Sequence, residues 1–208
     1  MAKIDIWPTV QAERTSLAAD LSGLSDERWD TPSLCDAWTV RDVLAHMTAT
    51  AKITPASFFP KLMGSGFRLT RLQARDIAAE RGATPGDTLR GFEGIVASRK
   101  GPPGPPLTMM GETLLHAEDI RRPLGISHQY PTESLVQVAD FFKGSNLIIG
   151  TKRRIAGLSL QATDTAWSHG SGPEVSGPML PLLQAMTGRK AALVDLQGAG
   201  VDILRRRR

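Results

Sequence analysis

At 208 residues, with 41% apolar and 22% charged side chains, the chain has ordinary globular composition and enough length to bury a real core. Its formal charge of +4 is 25 basic minus 21 acidic residues, and the terminal run Arg205 to Arg208 supplies four of those positive charges, so the rest is about neutral. That distribution, with one Tyr and no basic-aromatic interleaving, speaks against nucleic acid as a partner.

The single cysteine, Cys35, excludes an internal disulfide and a thiolate-rich zinc knuckle, so any metal must be held mainly by His and carboxylate. The N-terminus has no apolar core long enough for a signal peptide, and no run approaches the roughly 18 apolar residues of a membrane span. A cytoplasmic location with no membrane partner is the expectation. The arginine tail reads as a frayed, solvated terminus.

In chain order, apolar residues Ile6, Val10, Leu17, Leu21 and Leu24 recur at helical spacing and predict a helix over 5–24, ending near Gly23. A polar connection follows, "SDERWDTPSLCDAW", expected as loop with short turns. Thr39-Val-Arg-Asp42 has the form of a capping box, opening a helix from Val40 to Ser57 or beyond, with Pro55 as a kink or stop. Further helices are expected over 70–81 and 85–100. "GPPGPP", residues 101–106, must be a stiff loop, because four of its residues lack a donor; it hands the chain to a helix from Thr108 that stops at Pro123 and Gly125.

After a further helix from Glu133 to about Ile149, the signals change to short alternating stretches, "LSLQATD", "AWSHGSG" and "EVSG", read as strands. "GPMLPLLQAMTGR" reads as a helix opened by Pro178 and closed by Gly188, and "AALVDLQG" and "VDILRRRR" as final strands. The pattern is a helical bundle domain over 1–125, followed by a small α+β domain over 126–208.

The stretch "GETLLHAEDI", residues 111–120, carries the chemistry. With Glu112 at zero on a helical wheel, His116 falls at about 40° and Asp119 at about −20°, a polar stripe flanked by Met109, Leu115 and Ile120. An inward Glu112 needs a cation, a hydrogen bond or a proton. His46 sits among Val43, Ala49 and Ile53 on another helix, so His46, Glu112 and His116 are candidate ligands of one metal. The plainer readings are a solvated ExxxH face and a satisfied core histidine.

Two imidazoles and a carboxylate suit zinc with an open position, and also iron or nickel. His128 and His169 lie in expected loops without a paired acid, and Cys35, Trp29 and Trp38 read as packing residues of the connection. Asp119 could orient a ligand histidine or pair with Arg122. The Gly-rich "GSGPEVSG" lacks the Lys-Ser/Thr of a phosphate loop.

The segments "RWDTPSLCDAWTVRDVLAHM" (28–47) and "GETLLHAEDIRRPLG" (111–125) together resemble the mycothiol-dependent maleylpyruvate isomerase family, and "GSGPEVSGPMLPLLQAMTGR" is similar to its small C-terminal domain. The resemblance implies a DinB-like antiparallel four-helix bundle followed by a small α+β domain. It implies a divalent metal, zinc first, on His46, Glu112 and His116, and mycothiol as thiol cofactor. The implied activity is metal-assisted addition of the thiol to an electrophile, of isomerase or S-transferase type, with small-molecule partners. A non-catalytic metal- or thiol-binding protein of the same fold is the alternative, a homodimer stays open, and Arg71 or Arg75 are candidate cations for the sugar part of the thiol.

Overall fold

In the computed structural model, which describes residues 5–146 and 149–207, Thr39 caps a helix as its neighbours predict. Its Oγ1 accepts from Asp42 N at 3.2 Å, and Asp42 Oδ2 accepts from Thr39 N at 3.0 Å, a reciprocal box that satisfies two backbone donors. The chain divides into two compact units, Met1–Gln129 and Tyr130–Arg208.

The first unit is helical: α1 Trp7–Leu21, α2 Val40–Lys52, α3 Pro55–Gly64, α4 Leu69–Glu80, α5 Pro85–Glu93 and α6 Leu107–Arg121. Helix α2 is central, packed against α4, α5 and α6, while α1 packs against α5 and α6. Val40, Val43, Leu44, Ala45 and Ala51 of α2 are fully buried. Helix α6 is buried on almost every side, because α1 and α2 both cover it. That explains why its wheel lacks a clean polar face: Met110 and Leu114, opposite the polar stripe, are buried as well.

Two helix boundaries differ from expectation. Helix α2 stops at Lys52, and Pro55 is neither a kink nor a mere stop but the first residue of α3, behind a second capping box between Thr54 and Ser57. Proline is well placed there because the first turn has no use for its missing donor. Helix α5 ends at Glu93, short of Lys100. The carbonyls of Ile95 and Ser98 beyond it accept instead from Arg14 Nη1, at 3.3 and 2.9 Å.

The second unit holds α7 Thr132–Lys143, α8 Thr151–Ile155, strands β1 Ser159–Ala162, β2 Ser168–Gly170 and β3 Glu174–Gly177, then α9 Met179–Met186 and α10 Val201–Arg206. The sheet order is β2-β1-β3, with β1 antiparallel to β2 and parallel to β3, and Leu160 opposite His169 and Val175. Leu160, Val175, Met179 and Leu183 are buried in its core. Helix α7 ends at Lys143, before the expected Ile149, and the part of that expectation on residues 147–148 lies outside the described residues.

The expected final strands are not strands. "AALVDLQG" contains a 3-10 helix over Lys190–Asp195, and "VDILRRRR" forms α10. Nor are all the tail arginines frayed: Arg207 Nη1 donates to the carbonyls of Arg154 and Ala156 at 2.6 and 2.9 Å. Arg208 lies outside the described residues. Gly172 explains part of "GSGPEVSG": at φ +124° a Cβ there would run into Gly157 O, so glycine serves close backbone approach.

Candidate metal centre

Helices α2 and α6 pack side by side, and their facing positions bring His46 against the Glu112 and His116 pair. His46 Nε2 lies 2.7 Å from Glu112 Oε1, and His116 Nε2 lies 3.3 Å from the same oxygen. The two imidazoles meet edge to face, ring centres 5.1 Å apart. Each residue offers one ligand atom, all within 4.8 Å of one another. His46 and His116 are 8% and 9% exposed.

Despite this proximity, Glu112 Oε1 is buried and no hydrogen bond is formed to it. A buried carboxylate oxygen without a bonded donor is costly. Three donor atoms facing a shared space, one of them orphaned, are the arrangement that a cation would satisfy. The set of two nitrogens and one oxygen fits zinc in type, and equally iron or nickel.

The electrostatics agree with a pair that holds charge. Burial would push the Glu112 carboxyl up, but the two neighbouring imidazoles outweigh it and hold the group well below the usual carboxylate range. Burial would likewise push His116 down, yet Glu112, Asp119 and Cys35 together hold it well above the usual histidine range. A proton on His116 Nε2 and a metal would compete for the same nitrogen.

On the other side of the ring, His116 Nδ1 lies 2.9 Å from Asp119 Oδ2, and Asp119 is fully buried. Asp119 thus fixes which nitrogen of His116 carries hydrogen and leaves Nε2 facing Glu112. Cys35 does more than pack. Its thiol donates to Asp119 Oδ2 at 3.1 Å and lies 3.5 Å from His116 Nδ1, opposite the nitrogen of the three-donor group. It therefore stands outside that group rather than forming a fourth ligand.

The connection between α1 and α2 is pinned to α6 by Leu34 N donating to Asp119 O at 3.1 Å, and to itself by a bridge between Pro32 and Thr39. This brings Trp38 over the donors, its ring centre 4.9 Å from that of His46. Trp29 is a buried anchor, as expected, whereas Trp38 lines the site.

Sequence reasoning missed Arg14, which is 1% exposed and lies at core-facing spacing with Val10, Leu17 and Leu21. Burial pushes its guanidinium down to about 10, and the charge of Glu112 opposes that fall. The apolar company of Arg14 on the α1 wheel is the signal that could have found it. The other histidines take no part. His128 Nε2 lies 2.8 Å from Glu13 Oε2, and His169 sits in β2 near Trp167.

Comparison with known proteins agrees with this architecture. Residues 10–102 match the family described as "Mycothiol maleylpyruvate isomerase N-terminal domain". Two solved structures, the mycothiol-dependent maleylpyruvate isomerase and a histidine-to-alanine mutant of it, each match with a TM-score of 0.62 at 15% identity. In each case the match covers 93% of this chain and 91% of the other. Comparison with curated protein sequences returns no significant match. The fold is thus mainly helical with a small C-terminal α+β part, as in those two structures, and over residues 10–102 the chain is similar to the N-terminal domain of the mycothiol maleylpyruvate isomerase family.

Proposed function

We propose that the protein is a divalent-metal-dependent enzyme that uses mycothiol to isomerise a small electrophile with a cis double bond. The observation that carries this reading is the orphaned Glu112 Oε1 between two imidazole nitrogens. His46, Glu112 and His116 would hold the ion, and zinc is the best match to the donors. The bound metal would keep a coordinated thiol ionised at neutral pH, and that thiol would supply a nucleophile that adds to the double bond and leaves after rotation.

The chain's own groups prepare this chemistry. His46 and His116 present their Nε2 atoms only when neutral, and Asp119 holds the His116 hydrogen at Nδ1. Glu112 contributes the one negative charge of the donor set. The Trp38 ring lies beside His46, ring centres 4.9 Å apart. Addition followed by elimination returns the thiol, so isomerisation needs no redox partner, whereas S-transfer consumes one thiol per product.

Elemental analysis of the purified protein is the first test. The expected result is one divalent ion per chain, lost when His46→Ala and Glu112→Ala are combined; metal retained by that variant would overturn the ligand assignment. Incubation of the loaded protein with mycothiol and cis-configured electrophiles then tests the reaction. Turnover without loss of thiol supports isomerisation, turnover with stoichiometric loss identifies an S-transferase, and binding without turnover identifies the non-catalytic alternative.

A further inference from the structure

Helix α3, with its sequence "PASFFPKLMG", contains Phe58, Phe59, Leu62 and Met63, yet none of its ten residues is buried. An apolar helix in water should bury a face. Instead Phe59 is 63% exposed and Met63 62%, and beyond the helix Phe67 is 73% and Leu69 48% exposed. Among the described residues the one other large apolar side chain so exposed is Val194, so this is a concentrated patch rather than the usual scatter. Phe67 is held outward from a left-handed backbone with φ 58°, a conformation a bulky residue rarely adopts.

The charge around the patch is predominantly basic. From residue 43 to residue 75 the chain has Lys52, Lys61, Arg68, Arg71 and Arg75 and no acid. Lys52 is paired with Glu80 and Lys61 with Asp76, while among the described residues Arg68, Arg71 and Arg75 have no acidic partner. Arg68, Arg71 and Arg75 recur at threes and fours, placing them on one side of α4. Between α3 and α4 lies a cleft of about 450 Å³ lined by Lys61, Ser65, Leu72, Arg75 and Asp76. The hydroxyl of Ser65, a residue only 1% exposed, makes no hydrogen bond there.

We propose that the α3–α4 hairpin docks on an anionic phospholipid surface, with Phe59, Met63, Phe67 and Leu69 entering the interface and Arg68, Arg71 and Arg75 meeting phosphate. Exposed apolar side chains beside cations that have no acidic partner are what an interfacial segment requires, and the Arg75 guanidinium, whose Nη1 donates to Gly64 O at 2.8 Å, lines the cleft with its remaining donors. A second copy of the chain fits less well, because pairing this face with itself would oppose like charges. The contact is in the plane of the membrane. No described helix is long and apolar enough to cross it, so the expectation of no membrane partner, which rested on the lack of a span, does not bear on this surface.

The test is sedimentation of the full chain with vesicles of phosphatidylcholine alone and with added phosphatidylglycerol. The protein should pellet with the anionic vesicles, and less so as salt rises. Replacing Phe59, Met63 and Phe67 together by Ser should abolish pelleting, and Arg71→Gln should lower partitioning about fivefold. Circular dichroism verifies that these exposed variants stay folded, and an unchanged metal content separates this outcome from that of the metal centre. Equal affinity for both vesicles, no pelleting, or full binding by the triple variant overturns the proposal. So does displacement from vesicles by millimolar inorganic phosphate at constant ionic strength, which would identify a soluble anion site, or a wild-type dimer that the triple variant dissociates.

Discussion

Helix α6 contributes to two buried polar clusters, and one of them contains a permanent cation while the other does not. Toward its C-terminal end, Arg121 is fully buried and donates from Nε to Asp20 Oδ2 at 2.8 Å and from Nη2 to Ser16 Oγ at 3.0 Å. Glu13 Oε2 lies 3.7 Å from Arg121 Nη1 and 2.8 Å from His128 Nε2. Toward the N-terminal end, Glu112 faces two imidazoles that are cations only after taking a proton, and its inner oxygen accepts no hydrogen bond. The first cluster ties α1 to α6. The second pairs a carboxylate with imidazoles alone, so its positive charge is exchangeable, which is what distinguishes a binding site from a structural clamp.

The largest expected effect comes from breaking the clamp. Arg121→Met leaves Asp20 and Glu13 without their buried cation, and such removals cost about 3–5 kcal/mol. Urea unfolding at neutral pH measures it, with metal content per folded chain expected to stay constant. A loss below about 1 kcal/mol, the range of a surface pair, would erase the proposed contrast between the clusters.

Next in size is the metal itself. Zinc at a hundredfold excess over its dissociation constant should stabilise the wild type by about 2.7 kcal/mol, raising the melting temperature, and a chelator should reverse the shift. Glu112→Gln should show no zinc-dependent shift, and its metal-free form should melt lower than the metal-free wild type at neutral pH, because the carboxylate that the two imidazoles hold ionised has been removed. An equal zinc response in both proteins would mean that the ion binds elsewhere. Smaller again, Asp119→Asn should weaken zinc binding by about 10–100-fold through loss of the His116 orientation, read by competition with a chromophoric chelator. Unchanged affinity would leave Asp119 with a packing role alone.

The same contrast shows what the sequence made legible. Glu112, His116 and Asp119 share one helix, so local spacing placed them together, and the apolar neighbours of His46 pointed it inward. Cys35 and Trp38 could not be placed that way, since they reach the site through the Leu34 to Asp119 backbone bond between segments far apart in sequence. The clamp was missed because Arg121, Asp20 and Glu13 look like ordinary surface charges until α1 lies on α6. Pro55 was misread because proline after Thr54 and before Ser57 is a start signal, stronger than its reputation as a breaker. "AALVDLQG" and "VDILRRRR" are short apolar runs whose periodicity does not separate strand from helix, and tertiary packing decided them.

The smallest effect tests how firmly the central helix holds its ligand. Thr39→Ala removes one arm of the α2 capping box and should cost about 1 kcal/mol in urea unfolding. His46 lies seven residues beyond the cap, roughly two turns into the helix. Between them Val43, Leu44 and Ala45 are fully buried, so the ligand's position should be set by core packing rather than by the cap. Zinc affinity should therefore stay unchanged while stability falls. If both fall together, fraying passes through the packed turns to His46, and α2 is held by its N-terminal hydrogen bonds more than by the core around it.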